Sequence, residues 1–466
     1  MTFLKRFAVL LVTASMVISM AGCGDSHTDE SSGSTSDDNE IIRVQTDDTP
    51  VDMQGYEFTI ASPFLLDKPV ISEITDAEAI FEEVRHKVEK DYNCKITILA
   101  IDNYIENVRT NVMAGNKIAD IIDVEGYNLI QMARSGYIIP LETVSGLDIN
   151  DARFIPGYTS LTEFNGQHYG VNFMRPAEAR ICMLYNRDLL KQYGITEDPQ
   201  QLVDSGEWTF DKFREMCIKC TRDADGDGTN DTYGLYIGLP ETFGTTLVSA
   251  NGARVVSSAD GVAKESYQDG RALTALNFLY DLVNTDKVAD YADGAEKEAI
   301  SAFADGKYAF FFCETWWVNQ LLKPTAGDLD YGIVMVPKGP DADDYVSPSE
   351  NARNFCITST NKDVEKSVVI LNALAKYTQE YGDGDDWWTY DVQMDYFRND
   401  DVKSTEMYMQ MIEKSTFDIG VGVSDLWKAF KETVVRDSCY NNKGTPASKI
   451  DTISGKYQSV VDAVYN

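Results

Sequence analysis

The chain has 466 residues and only three histidines, His27, His86 and His168. Imidazole is the side chain most used for proton transfer near neutral pH. No G-x-S-x-G, H-E-x-x-H or phosphate-cradling glycine loop occurs either, which removes the common serine-hydrolase, zinc-protease and nucleotide-binding readings. Positive charge is scarce: 41 Lys and Arg stand against 75 Asp and Glu, a net of -34. Such a balance argues against nucleic acid or an anionic membrane surface as a partner. Beyond the first twenty residues no apolar run is long and charge-free enough to span a bilayer. The eight cysteines are scattered, and only Cys217 and Cys220 form a CxxC. No second CxxC or nearby histidine completes a zinc set. Both continue a stripe with Phe210 and Phe213 at steps of three and four, so a buried helix face is expected there.

What the chain does have begins at residue 1. "MTFLKRFAVLLVTASMVISMAGC" carries Lys5 and Arg6, then an apolar stretch from Phe7 to Met20, then small residues. That is a secretory signal, too short for a spanning helix. It ends in Met20-Ala21-Gly22-Cys23, which resembles the lipobox of bacterial lipoproteins. The resemblance implies a signal peptide over 1–22, a lipid on Cys23, and a place on the extracytoplasmic face of the cell membrane. Residues 24–50 hold eight acidic residues, one basic residue and no aromatic. Such a stretch cannot bury enough apolar surface to offset its chain entropy, so a disordered tether over 23–52 is expected.

The remainder is long for one core and suggests two lobes. "YEFTIAS", "CKITILAI" and "IADIIDV" read as strands. "DAEAIFEEVRHKVEKDY", "YIENVRTNVMAGN" and "YNLIQMARSG" alternate with them as helices. This alternation predicts a doubly wound, mainly parallel α/β sheet. Ligands of such sheets sit beyond the carboxyl ends of the strands, here Ser62, Pro63 and Phe64 and Asp123, Glu125 and Tyr127. A second unit starts near "ARICMLYNRDLLKQYGI" and continues through "EWTFDKFREMCIKCT", with Thr209 as a helix cap, to the strand "YGLYIGL". "MYMQMI", with Met407, Met409 and Met411, reads as core helix.

The ordered set "MLYNRDLLKQYGI", "GEWTFDKF", "DADGDGTNDTYG", "AFADGKYAFFFCETWW" and "YGIVMVPKGP" resembles the extracellular solute-binding proteins of ABC importers, family 1, the carbohydrate type. "ADIIDVEGYNLIQMARSGYIIPLE" resembles the same family's N-lobe segment. The resemblance runs from about residue 55 to 375 and weakens in the last ninety residues. It implies a type II two-lobed periplasmic-binding-protein-like fold with crossing hinge segments. The implied N-lobe is 53–174 plus 341–377, and the implied C-lobe is 175–340 plus 378–466. It also implies a monomer that passes a sugar or oligosaccharide to permease subunits and catalyses nothing.

"DADGDGTNDTYG" fits the spacing of an EF-hand-like loop, with oxygens at positions one, three, five, seven and nine and glycine at six. These are Asp223, Asp225, Asp227, the Thr229 carbonyl and Asp231, with Gly228 at the turn. The twelfth position, where a bidentate glutamate would stand, is Gly234. Some members of the resembled family hold calcium in a comparable loop, so a structural Ca2+ is expected; the bland alternative is a solvated Asp/Gly turn.

Sugar rings offer apolar C–H faces to indoles and hydroxyls to carboxylates, amides and arginine. The resemblance puts a cleft tryptophan at Trp316, with Glu314 and Trp317 beside it, and a sugar-binding acid near Glu178. Paired tryptophans usually divide between core and surface. Arg175, Glu178 and Arg180 stand just before an apolar strand, where hinge salt bridges are the alternative. Trp387 and Trp388 follow "GDGDD", which reads as an exposed loop over the cleft, and Trp388 completes the candidate set with Phe64 and Glu125. A secreted, calcium-bearing glycoside hydrolase needs only two carboxylates and stays open on composition, as does a sensor or adhesion lipoprotein without an importer.

Overall fold

A computed structural model describes residues 49–63, 76–101, 103–175, 177, 179–258, 262–292, 294–349, 353–382, 387–398 and 400–466, without the side chains of 76, 77, 127, 387, 390 and 391. The signal, Cys23, the tether up to residue 48, Phe64 and Glu178 lie outside the described residues.

The first half alternates as its pattern predicts. Strand β1 (Tyr56–Ala61) buries Phe58, Ile60 and Ala61 completely. Helix α1 (Asp76–Asp91) turns Ile80, Phe81, Val84 and Val88 inward, the one-sided stripe of a surface helix. β2 (Cys94–Leu99), α2 (Tyr104–Met113), β3 (Ile121–Glu125) and α3 (Gly126–Arg134) follow. In α2 the buried residues are Tyr104, Val108 and Val112, each one turn apart.

The second half opens with β4 (Ile181–Asn186), buried along its whole length. Next come α4 (Phe210–Cys220), β5 (Tyr233–Ile237), α5 (Pro240–Ala250), β6 (Ala289–Tyr291), β7 (Tyr308–Glu314) and β8 (Tyr331–Val334). Thr209 caps α4, its hydroxyl accepting from the Lys212 amide at 3.3 Å. Cys217, Cys220, Phe210 and Phe213 form the buried face of α4. The chain then runs through β9 (Arg353–Cys356), α6 (Val364–Gln379), α7 (Trp387–Tyr396), α8 (Val402–Glu413), α9 (Ser424–Ala429) and α10 (Gln458–Tyr465). Met407 and Met411 of α8 are buried, and Met409 packs partly buried beside them.

The first sheet has the order β9-β3-β1-β2 and the second the order β6-β5-β7-β4-β8. β1 is parallel to β2 and β3, and β5 is parallel to β6 and β7. The sequence pattern predicts mainly parallel sheets. Three pairings depart from it: β9 runs antiparallel to β3, and β4 runs antiparallel to both β7 and β8. β4 and β9 follow the long segments that link the two sheets, so neither is fed by a βα crossover, the connection that keeps strands parallel. α6 packs on α1, so residues 353–379 rejoin the first sheet. The second sheet's core is centred on Trp208, which is 0% exposed. Its indole N–H donates to the Met335 carbonyl at 2.8 Å, and its ring meets Phe213 edge-on at 5.6 Å.

Candidate functional site

Because β1 and β3 are parallel neighbours, their carboxyl ends lie on one edge of the first sheet. Asp123, 1% exposed, is the centre of that edge. Its carboxylate accepts from the Ser62 hydroxyl at 2.8 Å and from Nε and Nη2 of Arg353, the Nε at 3.2 Å. Its amide N–H donates to the Tyr104 hydroxyl at 3.1 Å, which in turn donates to the Ala61 carbonyl at 2.7 Å. Burial pushes the Tyr104 phenol up, and the Asp123 charge adds to the effect. Beside this network opens a cavity of about 540 Å³ lined by Pro63, Asn103, Tyr104, Glu106, Glu125 and Asn128, among others. Glu125 is half-buried there, at the N-cap position of α3.

The corresponding edge of the second sheet is built where β7 ends and β4 begins, with Glu314 opposite Ile181. The Thr315 amide donates to the Arg180 carbonyl at 3.2 Å and starts a single helical turn, Thr315–Trp317. The Glu314 carboxylate is shared. One oxygen lies 3.4 Å from the Arg180 guanidinium, and the other accepts from the Trp316 indole N–H. Trp316 is half-buried. Trp317, expected as a lesser ligand contact, is instead a core residue at 2% exposure. It packs edge-on against Phe311 at 6.0 Å, and its ring lies so close to Gly238 that a Cβ there would sit 2.9 Å from it. One turn of helix points consecutive side chains about 100° apart, so Trp317 turns into the core while Trp316 stays half-buried, its ring meeting the Trp317 ring edge-on at 5.9 Å.

Arg180 and Glu314 also line a cavity of about 80 Å³ of mixed character, walled by Thr242, Ser249 and Asp418 and by Leu239, Val421 and Trp427. Asp418 accepts from the amides of Val255, Val256 and Gly420. Burial pushes its carboxyl up, against the pull of those amides and Arg254. No sequence pattern singles out Trp427 from the other tryptophans, and none marks Arg353; only the fold brings them to these edges.

Arg175 is 8% exposed, and its guanidinium lies 5.6 Å from the Trp388 ring centre. It also donates to the Arg153 carbonyl at 3.4 Å. As placed, Arg175 is buried against the segment that carries Arg153 and beside Trp388. Trp388 stands on helix α7 and not in an exposed loop, and it is half-buried against the second core.

The aspartate loop is exposed and internally tied. Asp223 accepts from the amides of Gly226 and Gly228 at 2.7 and 2.9 Å, and Asp231 accepts from Ala224 at 2.7 Å. Gly226 and Gly228 have φ of 79° and 92°, a left-handed backbone that glycine adopts without strain. One oxygen from each of Asp223, Asp225 and Asp227 falls within 4.8 Å of the others, an oxygen set suited to a hard cation. Gly234 cannot be replaced by a twelfth-position acid, since a Cβ there would lie 2.4 Å from the Cys217 backbone.

Residues 72–380, about two-thirds of the chain, match the family described as bacterial extracellular solute-binding protein. The chain belongs to that family. No curated protein matches this solute-binding protein. Among solved structures, it is similar to the GacH receptor of Streptomyces glaucescens, solved unliganded and with acarbose: TM-score 0.56, 16% identity, 88% of this chain and 99% of that one. A cyclic alpha-maltosyl-1,6-maltose binding protein from Arthrobacter globiformis matches with TM-score 0.59 and 13% identity over 88% and 99% of the two chains. UgpB from Mycobacterium tuberculosis, solved with glycerophosphocholine, matches with TM-score 0.57 and 14% identity over 88% and 98%. The α/β architecture is therefore that of the two-lobed binding proteins.

The division of the two indoles generates a stability prediction. Trp317→Ala empties a packed site and should cost about 3–5 kcal/mol, as large-to-small core changes do. Trp316→Ala should leave the denaturant midpoint of the unliganded protein close to that of the parent. Chemical denaturation of both variants checks this.

Proposed function

We propose that this solute-binding protein captures a carbohydrate, an oligosaccharide by preference, between its two sheets and hands it unchanged to the permease subunits of an ABC importer. The observation that carries the reading is the half-buried Trp316 indole, held at its N–H by a carboxylate that also faces Arg180. An indole held in this way offers an apolar face to a sugar ring, while Glu314 and Arg180 are suited to hydroxyls. Trp427 and the hydroxyls of Thr242 and Ser249, around the adjoining cavity, add the same chemistry. On the first sheet Glu125, Asn128 and the Asp123–Arg353 pair supply further polar groups. Acarbose bound in one similar structure, and the cyclic maltosyl-maltose for which another is named, support a sugar.

We further assign 53–174 plus 341–377 to one lobe and 175–340 plus 378–466 to the other; the return of β9 and α6 to the first sheet supports that division. Glu178 and Phe64 remain proposed contacts by their place in the sequence. The loop from Asp223 to Asp231 would hold one Ca2+ through Asp223, Asp225, Asp227, the Thr229 carbonyl and Asp231. The ion would neutralise crowded carboxylates and fasten the turn between α4 and β5. Cys23 would carry the lipid that keeps the protein at the extracytoplasmic face.

Four measurements test these proposals. A thermal-shift screen over a sugar panel should find a stabilising ligand that is recovered chemically intact. Calorimetry with that sugar on Trp316→Ala should show a loss of about 1.5–3 kcal/mol, ten-fold or more in affinity; parental affinity removes Trp316 from the site. Chelation should lower the melting temperature, because uncompensated carboxylates then repel one another, and Asp225→Ala should abolish the response. A parent protein whose melting curve ignores the chelator does not bind calcium there. Finally, Cys23→Ala should move the protein from the membrane fraction to the soluble fraction; a variant that stays membrane-bound refutes the anchor.

A further inference from the structure

The seven described cysteines are all free thiols, and six of them are buried. Cys182 and Cys313 stand apart from the rest: they face each other across β4 and β7 in direct register, with their sulfurs 3.7 Å apart and both residues 0% exposed. Two residues along, the Thr315 amide bonds to the Arg180 carbonyl. The two-residue period of an antiparallel ladder makes Cys182 and Cys313 a hydrogen-bonded pair too. The Cα atoms of such a pair lie about 5.5 Å apart, inside the roughly 4.4–6.8 Å that a disulfide spans. Directly opposed Cβ atoms lie about 4.5–5.5 Å apart and a disulfide holds them at about 3.5–4.5 Å, so closing the remaining sulfur gap takes side-chain rotation and a small approach of the two strands.

We propose that Cys182 and Cys313 join as a disulfide when the exported chain folds in an oxidising compartment. The thiolate of one cysteine attacks a disulfide oxidant, either a small-molecule disulfide or a thiol–disulfide oxidoreductase, and forms a mixed disulfide. The second thiolate then displaces the oxidant's remaining sulfur. Two S–H bonds are lost, one S–S bond forms, and the oxidant leaves as two thiols carrying both electrons and both protons. The reaction belongs to the folding stage. Once β4 and β7 have closed, burial shields both sulfurs from solvent and pushes the Cys313 thiol up, away from the reactive thiolate. The bond would tie residues 131 positions apart and close a long loop in the unfolded chain. It would also fix the strand ends that carry Arg180 and Glu314, and so the spacing of the ion pair that lines the adjoining cavity.

The bond sets Cys182 and Cys313 apart from Cys94, Cys217, Cys220, Cys356 and Cys439, and alkylation reads that difference. The full-length protein is unfolded in reductant, refolded with oxidised glutathione, then unfolded again and blocked with N-ethylmaleimide before peptide mapping. Cys182 and Cys313 should escape alkylation and appear together in one cross-linked peptide, while Cys94, Cys217, Cys220, Cys356 and Cys439 are alkylated. The oxidised protein should melt several degrees above the same protein in reductant. In Cys313→Ser that gap should vanish and Cys182 should be alkylated. Full alkylation of Cys182 and Cys313 after oxidative refolding overturns the proposal, and so does a cross-link from either to another cysteine.

Discussion

A buried carboxylate joins two parts of this chain that are 230 residues apart in sequence. Asp123 interrupts the buried apolar residues of β3, and Arg353 begins β9, the strand that comes back to the same sheet after the whole of the second sheet has been built. An ionised carboxylate out of water is costly unless donors surround it. Ser62 and Arg353 provide them, so the return of β9 is tied to the satisfaction of Asp123. The cost is asymmetric. Loss of one partner from such a pair leaves a charge without compensation, on the order of 3–5 kcal/mol. Register between β9 and β3 is thus held by electrostatics as well as by the ladder, and Asp123 also lines the cavity that Glu125 lines.

The elements of the first half were legible in the sequence because each carries its own period. α1 and α2 bury residues at helical steps, and β1 and β3 are short, bounded apolar runs. Strand direction was not legible. β4 has the composition of a parallel strand, buried throughout, yet lies antiparallel between β7 and β8. Composition reports burial on both faces, and direction depends on how the chain enters the sheet, which no local pattern records. The aspartate loop sits at the other extreme. Its acids, glycines and turn geometry are all local, and the three-carboxylate cluster follows from them directly.

The candidate site was legible only where its parts are neighbours in sequence. Glu314 and Trp316 are two residues apart, and their contact follows from a single turn after a strand. Arg180 joins them through strand pairing, Trp427 comes from a helix more than a hundred residues later, and Arg353 comes from the return strand. Side chains of this kind look ordinary in sequence because their roles are set by partners that the fold alone supplies. The same reason explains Arg175 and Trp388. Each was read as facing a ligand, and each has the other as its neighbour.

The Trp316–Trp317 pair shows how a rigid binding face can be made from adjacent residues. Trp317 is locked by Phe311 and by the absence of a side chain at Gly238, where any Cβ would strike its ring. That lock fixes the turn from Thr315 to Trp317 and therefore the direction in which Trp316 leaves the backbone. The Glu314 carboxylate then fixes the Trp316 ring itself by accepting its N–H. A ring held at both its root and its nitrogen has little rotamer freedom left to lose when a ligand arrives, and side chains ordered on binding otherwise cost about 0.5–1.5 kcal/mol each. In the proposed site the core indole would thus contribute to recognition without touching the ligand: its burial is what holds the neighbouring indole in place.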